Sequence, residues 1–206
     1  MLKNLLCLIS VLTFAAIGCS QRTYRPLKFS LPRAGEETGC DLKIGEPFPT
    51  LQTVDLDGNT IVFDKTILGE RYTLIVFWST WCGFCMLELP HEIELSKLYQ
   101  NDGLRVIGVN ADLTIDRGRE AAESNGVPWL NIYEGKERRI SEQLGVTSWP
   151  TLLLLDSEGT VVSSTKQLRQ HGPMFVNEER DTKIVHHLDY TLVNLLRGNK
   201  DITLYP

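Results

Sequence analysis

The chain has 206 residues, 42% of them hydrophobic and 23% charged, with a formal net charge of −5. That length and apolar share suit one globular domain with some decoration. The acidic balance and the lack of a long basic block speak against nucleic acid as a partner, and the mixed run Glu134–Arg139 reads most simply as a solvated loop or helix start.

In chain order, Met1-Leu2-Lys3-Asn4 is a short, weakly basic start, and Leu5–Ile17 is apolar with little interruption. That stretch is too short to span a bilayer comfortably but suits the core of a signal peptide, expected over residues 1–18. Ala16-Ile17-Gly18-Cys19 resembles a bacterial lipobox, which implies cleavage before Cys19 and lipidation of its thiol, although Ala16 departs from the commoner Leu. An ordinary signal peptide or an uncleaved anchor stays open, and all three readings export the domain. Residues 19–40, with Pro26, Pro32 and Gly35, read as a tether, and residues 41–200 as the folded domain.

Of the five cysteines, Cys7 leaves with the signal. Cys40 then stands without an evident mate, either a free or partly buried thiol near the start of the domain or one end of a regulatory or intermolecular disulfide. A Cys19–Cys40 bridge becomes possible if Cys19 is not lipidated.

Leu51–Val54 and Thr60–Phe63 flank the turn signal Asp55-Leu56-Asp57-Gly58-Asn59 and predict a β-hairpin. Leu74–Trp78 reads as a buried strand. Phe84–Tyr99 reads as a helix with Leu87, Ile93, Leu95, Leu98 and Tyr99 as core candidates and a kink at Pro90. Leu104–Asn110 is a second strand, Asp116–Asn125 a polar-faced helix stopping at Gly126, Trp129–Ile132 a short strand, and Ile140–Leu144 a helix ending at Gly145. Thr151–Leu155 and Thr160–Ser164 flank a second hairpin turn. Thr182–Leu196 reads as a terminal helix, reached through a polar excursion over Lys166–Asp181 that is longer than most connections.

The chemistry concentrates at Cys82-Gly83-Phe84-Cys85, placed directly between the first buried strand and the long helix. Cysteines two residues apart can close a small disulfide or open to a dithiol. At the helix start, unpaired backbone N–H groups and the positive end of the dipole favour a thiolate. Cys82 is therefore the candidate nucleophile and Cys85 the resolving thiol. The order β-α-β-α followed by β-β-α, with a dithiol opening the first long helix, is the thioredoxin arrangement.

Three blocks carry a closer resemblance, covering Lys43–Val162. Gly45-Glu46-Pro47-Phe48-Pro49 is similar to the lead-in of the TlpA/ResA-type thiol-disulfide oxidoreductases of the thioredoxin superfamily. Val76–Cys85 followed by Glu88-Leu89-Pro90 resembles their active-site block, and Gly145-Val146-Thr147-Ser148-Trp149-Pro150-Thr151 their second signature. The resemblance implies an α/β fold, a central mixed β-sheet flanked by helices, with an added N-terminal β-hairpin.

It also implies membrane-tethered, extracytoplasmic exchange with disulfides or dithiols of exported proteins such as apocytochrome c. A membrane thiol reductase would supply electrons, a lipid anchor would hold the chain to the membrane, and no cofactor is needed. Pro150 is then expected to be cis and to lie against the dithiol, with Trp81 and Trp149 helping to form the surface for a partner peptide. A buried core tryptophan is the plainer reading of Trp149. Glu88 is expected to move protons to and from Cys85, since Val76 stands where ordinary thioredoxins place an aspartate. Trp78 and Trp81 are expected to pack around the site.

Rival chemistries are weaker on the residues. Structural zinc needs four ligands, and no second close cysteine pair exists. A copper carrier would pair the cysteines with a distant histidine, but such pairs usually have three intervening residues. A peroxide reductase would present a proline upstream of the attacking cysteine, which Ser79-Thr80-Trp81-Cys82 lacks. The direction of electron flow stays open, because Gly83-Phe84 is neither thioredoxin's Gly-Pro nor a common oxidant's Pro-His.

Overall fold

Tyr72–Trp78 forms an interior strand, β3, of a seven-stranded sheet. The computed structural model describes residues 33–165, 174–178, 181–185, 191–197 and 204–205. Ahead of β3 run β1 (Leu51–Asp55) and β2 (Thr60–Phe63), and after it α1 (Gly83–Tyr99), β4 (Leu104–Asn110), α2 (Ile115–Ser124) and β5 (Leu130–Tyr133). They are followed by α3 (Arg139–Gln143), β6 (Thr151–Asp156) and β7 (Val161–Ser164). The strand order is β2-β1-β5-β4-β3-β6-β7. β3, β4 and β5 are parallel, whereas β6 pairs antiparallel with β3 and β1 pairs antiparallel with β5. This is the expected mixed sheet with an N-terminal hairpin on one edge.

β3 is apolar from Leu74 to Trp78 because both of its faces are covered. Leu74, Val76 and Trp78 point to one side, where they meet Leu89, Ile93, Leu95 and Tyr99 of α1 and Ala122 of α2. Ile75 and Phe77 point to the other, against Ile107, Val109, Ile132, Leu153 and Leu155, with Ile140 and Leu144 closing that side. Two cores on opposite faces of one sheet follow from this alternation. Cys82 and Cys85 belong to the α1-side core, so the redox pair is built into the packing.

The helix α1 differs from expectation on two side chains. Leu87 is 77% exposed and Leu98 is also exposed, because α1 buries the stripe Cys85, Leu89, Glu92, Ile93 and Tyr99. At about 3.6 residues per turn, positions 87 and 98 fall on the opposite side. The helix continues through Pro90, which lies on its exposed side.

The segment before β1 belongs to the folded body from at least Thr38. Thr38 and Cys40 are buried, and the Ser164 hydroxyl donates to the Thr38 carbonyl at 2.9 Å. Gly45–Phe48 is stitched to the second hairpin by Gly45 N to Val161 O, Val161 N to Glu46 O and Phe48 N to Gly159 O. Cys40 is a buried free thiol whose Sγ lies 3.0 Å from Thr38 Oγ1.

The expected terminal helix over Thr182–Leu196 is corrected. Asp181–Val185 is a strand, β9, antiparallel to β8 (Met174–Glu178), which also pairs with β10 (Leu204–Tyr205). Thr182, Ile184 and Val185 are β-branched and suit a strand, while a short apolar run fits either period. Among the described residues of the expected helix's later part, 191–197 are helical, with a π-helical turn at Val193–Arg197, and Leu192 and Leu196 are buried as expected. β8 falls inside the Lys166–Asp181 excursion, whose remaining parts, 166–173 and 179–180, lie outside the described residues. So do Leu5–Ile17, Cys19 and residues 19–32 of the expected tether, whereas residues 33–40 are described.

Candidate active site

The parallel register of β3 and β4 pairs Trp78 with Asn110. The chain leaving β3, Ser79-Thr80-Trp81-Cys82, therefore runs beside the chain leaving β4, Ala111-Asp112. The site lies at the C-terminal ends of these two strands, where open α/β sheets commonly place their chemistry.

Cys82 and Cys85 are joined as a disulfide with Cα atoms 5.2 Å apart. Cys82 is the N-cap residue of α1, and its Sγ accepts from the Cys85 N–H at 3.1 Å. A sulfur in that place faces the helix's unpaired donors and the positive end of its dipole, which stabilise negative charge on it when the bond opens. Cys82 is 7% exposed and Cys85 2%, so the outer sulfur is the one a partner can approach. Val76 lies in the same core, so no carboxylate rises from β3 beneath the pair. Glu88 lies one turn beyond Cys85 on α1, half-buried.

The Trp149–Pro150 peptide bond is cis. Pro150 is buried, and Trp149 is half-buried, packed against both cores of the sheet. Trp81 and Trp149 meet edge to face with ring centroids 5.4 Å apart. Trp81 is exposed on one side and anchored on the other by its indole N–H, which donates to the Ala111 carbonyl at 3.1 Å. Trp78 is wholly buried, and its indole N–H donates to Asn131 Oδ1 at 2.9 Å. Gly108 makes that bond possible, since a Cβ there would lie 2.0 Å from the same oxygen. Trp78, Trp81 and Trp149 thus divide into one structural residue and two that border the surface.

Two residues that sequence reasoning missed complete the site. Asp112 is fully buried and accepts from Ser79 Oγ (3.0 Å), Thr80 Oγ1 (2.5 Å), Thr80 N (3.2 Å) and Asn110 Nδ2 (2.9 Å). Arg117 Nε also donates to Thr80 Oγ1 at 2.8 Å and lies 3.9 Å from Asp112 Oδ1. The carboxylate thereby holds the loop that delivers Cys82 to the helix start. Its signal in the sequence is an Asp just past the strand parallel to the dithiol strand.

The second is Arg138, in the run expected to be a solvated loop or helix start. It precedes α3 with φ +50°, and its guanidinium carbon lies 5.8 Å from the Trp81 ring centroid and 5.2 Å from that of Trp149. Glu134 fixes the turn that carries it. This buried carboxylate accepts from Ser141 N and Ser141 Oγ, both at 2.7 Å. Burial pushes the Glu134 carboxyl above the usual glutamate range, and the Ser141 bonds and the Arg138 charge only partly offset it.

Among the described residues, no cluster of three or more His, Cys, Asp or Glu side chains is placed to hold a metal ion. His171, His186 and His187, from which a distant histidine ligand would come, lie outside those residues. No helix among the described residues is long and apolar enough to cross a membrane.

Residues 43–177 match the Redoxin family. The thiol-disulfide oxidoreductase ResA of Bacillus thuringiensis (strain Al Hakam) is 31% identical over 121 residues, 59% of this chain and 68% of that protein. The thiol:disulfide interchange protein DsbE of Vibrio cholerae is 27% identical over 119 residues, covering 57% of this chain and 62% of that one. The solution structure of a thiol:disulfide interchange protein from Bacteroides sp. superposes with a TM-score of 0.60 at 22% identity, covering 78% of this chain and 95% of that one, and shares the fold. The chain belongs to the Redoxin family and is a thiol-disulfide oxidoreductase of the ResA/DsbE type, with Cys82 and Cys85 as its cysteine pair.

Proposed function

We propose that the protein reduces disulfides of exported partner proteins through the Cys82/Cys85 dithiol, apocytochrome c being one partner class that the family resemblance suggests. The observation that carries this reading is the placement of Cys82 as N-cap of α1, its sulfur at the helix donors and Cys85 buried beneath it. The Cys82 thiolate attacks one sulfur of the partner disulfide. That S–S bond breaks, a mixed disulfide forms, and the partner's released sulfur leaves as a thiolate that takes up a proton. Cys85, deprotonated, then attacks Cys82 Sγ. The mixed disulfide breaks, the partner's second sulfur leaves and is protonated, and Cys82–Cys85 closes. Two electrons have passed from the dithiol to the partner. Glu88 accepts the Cys85 proton in the second step, and the segment around Trp81, Trp149 and Pro150 holds the partner's backbone.

In this reading residues 1–18 are an export signal, Cys19 carries a lipid, the chain between Cys19 and the folded body is the tether, and a membrane thiol reductase restores the dithiol. Extracytoplasmic placement is supported by the lipobox-like Ala16-Ile17-Gly18-Cys19 and by the compartment in which disulfides persist.

Trapping tests the assignment of roles. Cys85→Ser is expected to accumulate mixed disulfides through Cys82, and Cys82→Ser to accumulate none. Equal trapping by both variants, or none by either, removes the assignment. A redox titration tests direction: a potential near about −270 mV fits a reductant, whereas one near about −120 mV marks an oxidant and overturns it.

A further inference from the structure

Arg138 combines three properties that its place in a solvated turn does not require. It is the one non-glycine among the described residues with a left-handed backbone, a conformation unfavourable for an ordinary side chain. Its guanidinium lies over both tryptophans that border the dithiol. Its turn is held by a buried carboxylate, Glu134, whose oxygens accept from Ser141 and which feels the Arg138 charge without a hydrogen bond to the guanidinium. Among the described residues no carboxylate comes within ion-pair distance of Arg138, although the side chain is exposed.

A guanidinium held over two indole rings is attracted through its charge, and its N–H groups stay available to a further partner. Those groups form a planar fork suited to two oxygens of a carboxylate. The neighbouring surface supplies the remainder of a peptide site. Phe84, within the Cys82–Cys85 loop, is 71% exposed, and Leu87 on the next turn is also exposed. Exposed apolar side chains at the disulfide loop and a cation held over the flanking tryptophans suit a partner with an acidic residue beside its cysteine.

We infer that Arg138 is a specificity residue of the dithiol site, receiving an Asp or Glu carboxylate that flanks the reacting cysteine of a partner peptide. The inference rests on the exchange reaction proposed above and adds which partner sequences that reaction prefers. The guanidinium forms no covalent bond and takes no part in electron transfer. It raises the fraction of encounters in which the partner disulfide lies in line with Cys82.

The test uses reduced protein and synthetic peptides that each carry one internal disulfide and differ only in having Asp, Asn or Lys beside the attacked cysteine. Each rate is divided by that of the same peptide with dithiothreitol, which removes differences in the peptides' own reactivity. The wild type is expected to react in the order Asp, Asn, Lys, with about a fivefold advantage of Asp over Asn at low ionic strength that shrinks as salt is added. In Arg138→Gln the ratio falls to about one, and in Arg138→Glu the order reverses, which a merely structural role would not produce. Arg138→Lys keeps the sign of the preference with a smaller ratio, since the charge remains without the planar fork. An unchanged order in Arg138→Glu overturns the inference. So does an equal slowing with all three peptides, which would make Arg138 a determinant of Cys82 reactivity. If the wild type reduces none of the peptides while dithiothreitol reduces all, the exchange reading itself fails.

Discussion

Asp112 is the residue on which the geometry of the dithiol loop most depends, and replacing it has a calculable cost. Asp112→Ala removes the acceptor for Ser79 Oγ, Thr80 Oγ1, Thr80 N and Asn110 Nδ2 in a place with no solvent exposure. A hydrogen bond to a charged group contributes about 1.5–3 kcal/mol, and breaking a buried charged network typically costs about 3–5 kcal/mol once water and relaxation recover part of the loss. We take about 4 kcal/mol, a large part of the roughly 5–15 kcal/mol by which a domain is stable. With a urea dependence of about 2 kcal/mol per molar, the midpoint should fall by about 2 M. Asp112→Asn keeps one acceptor oxygen but turns a new N–H₂ donor toward existing donors, so its cost should be smaller, about 1–2 kcal/mol. The assay is equilibrium urea unfolding followed by tryptophan fluorescence on the oxidised protein, with the exchange rate of the reduced protein measured beside it. Exchange should slow in both variants, because Ser79 and Thr80 deliver Cys82 to the helix. A loss below about 1 kcal/mol for Ala, or an unaltered exchange rate in a folded Asp112→Ala protein, would refute the reasoning.

Gly118→Ala should destabilise the protein by about 1–3 kcal/mol in the same urea assay, because the new Cβ would lie 2.4 Å from Asn110 Oδ1, on the residue that steadies Asp112; a neutral result would show that α2 can shift freely. Glu88→Gln should slow release of the mixed disulfide, roughly tenfold or more, while leaving its formation by Cys82 little altered; single-turnover kinetics separate the steps, and an equal effect on both would remove Glu88 from proton transfer. Glu134 and Asp55 should give pH dependences of opposite sign, read as the urea midpoint of wild type minus variant across pH. The Glu134 carboxyl is raised by burial, so its share of stability is greatest at low pH and is lost as pH rises from about 4.3 through the higher folded value; Glu134→Gln should abolish that decline. For Asp55, burial pushes the carboxyl up, but bonds from the Asn59 side chain and the Asn59, Asp57 and Gly58 backbone outweigh it and hold it low. Its share is therefore full above about 3.9 and lost as pH falls through the lower folded value, and Asp55→Ala should remove that acid-side loss.

Local signals reached most of the fold. The hairpin turns at Asp55–Asn59 and Asp156–Gly159, the unbroken apolar run of β3 and the dithiol at the start of α1 are each encoded within a few neighbouring residues. Leu87 and Leu98 misled because composition marks a residue as apolar but does not fix which side of a helix faces the sheet; the stripe through Cys85, Leu89 and Tyr99 does. Thr182–Val185 misled because four residues with two adjacent apolar positions satisfy either period, and pairing with Met174–Glu178 is decided by a partner strand rather than by the segment itself.

Asp112 and Arg138 were illegible for a deeper reason. Neither has a local motif: each becomes meaningful only when the sheet order brings the ends of β3, β4 and β5 side by side. The dithiol requires a helix start, and a short sequence can specify that. The loop that presents it requires an acceptor from the neighbouring strand, and the surface beside it acquires its charge from the turn after β5. Reactivity at Cys82 is thus written in the chain around it, while the orientation of that cysteine and the character of the surface it shows a partner are written in segments that topology alone makes adjacent. On the inference drawn from Arg138, exchanging that one residue should alter partner choice without any change at the cysteines.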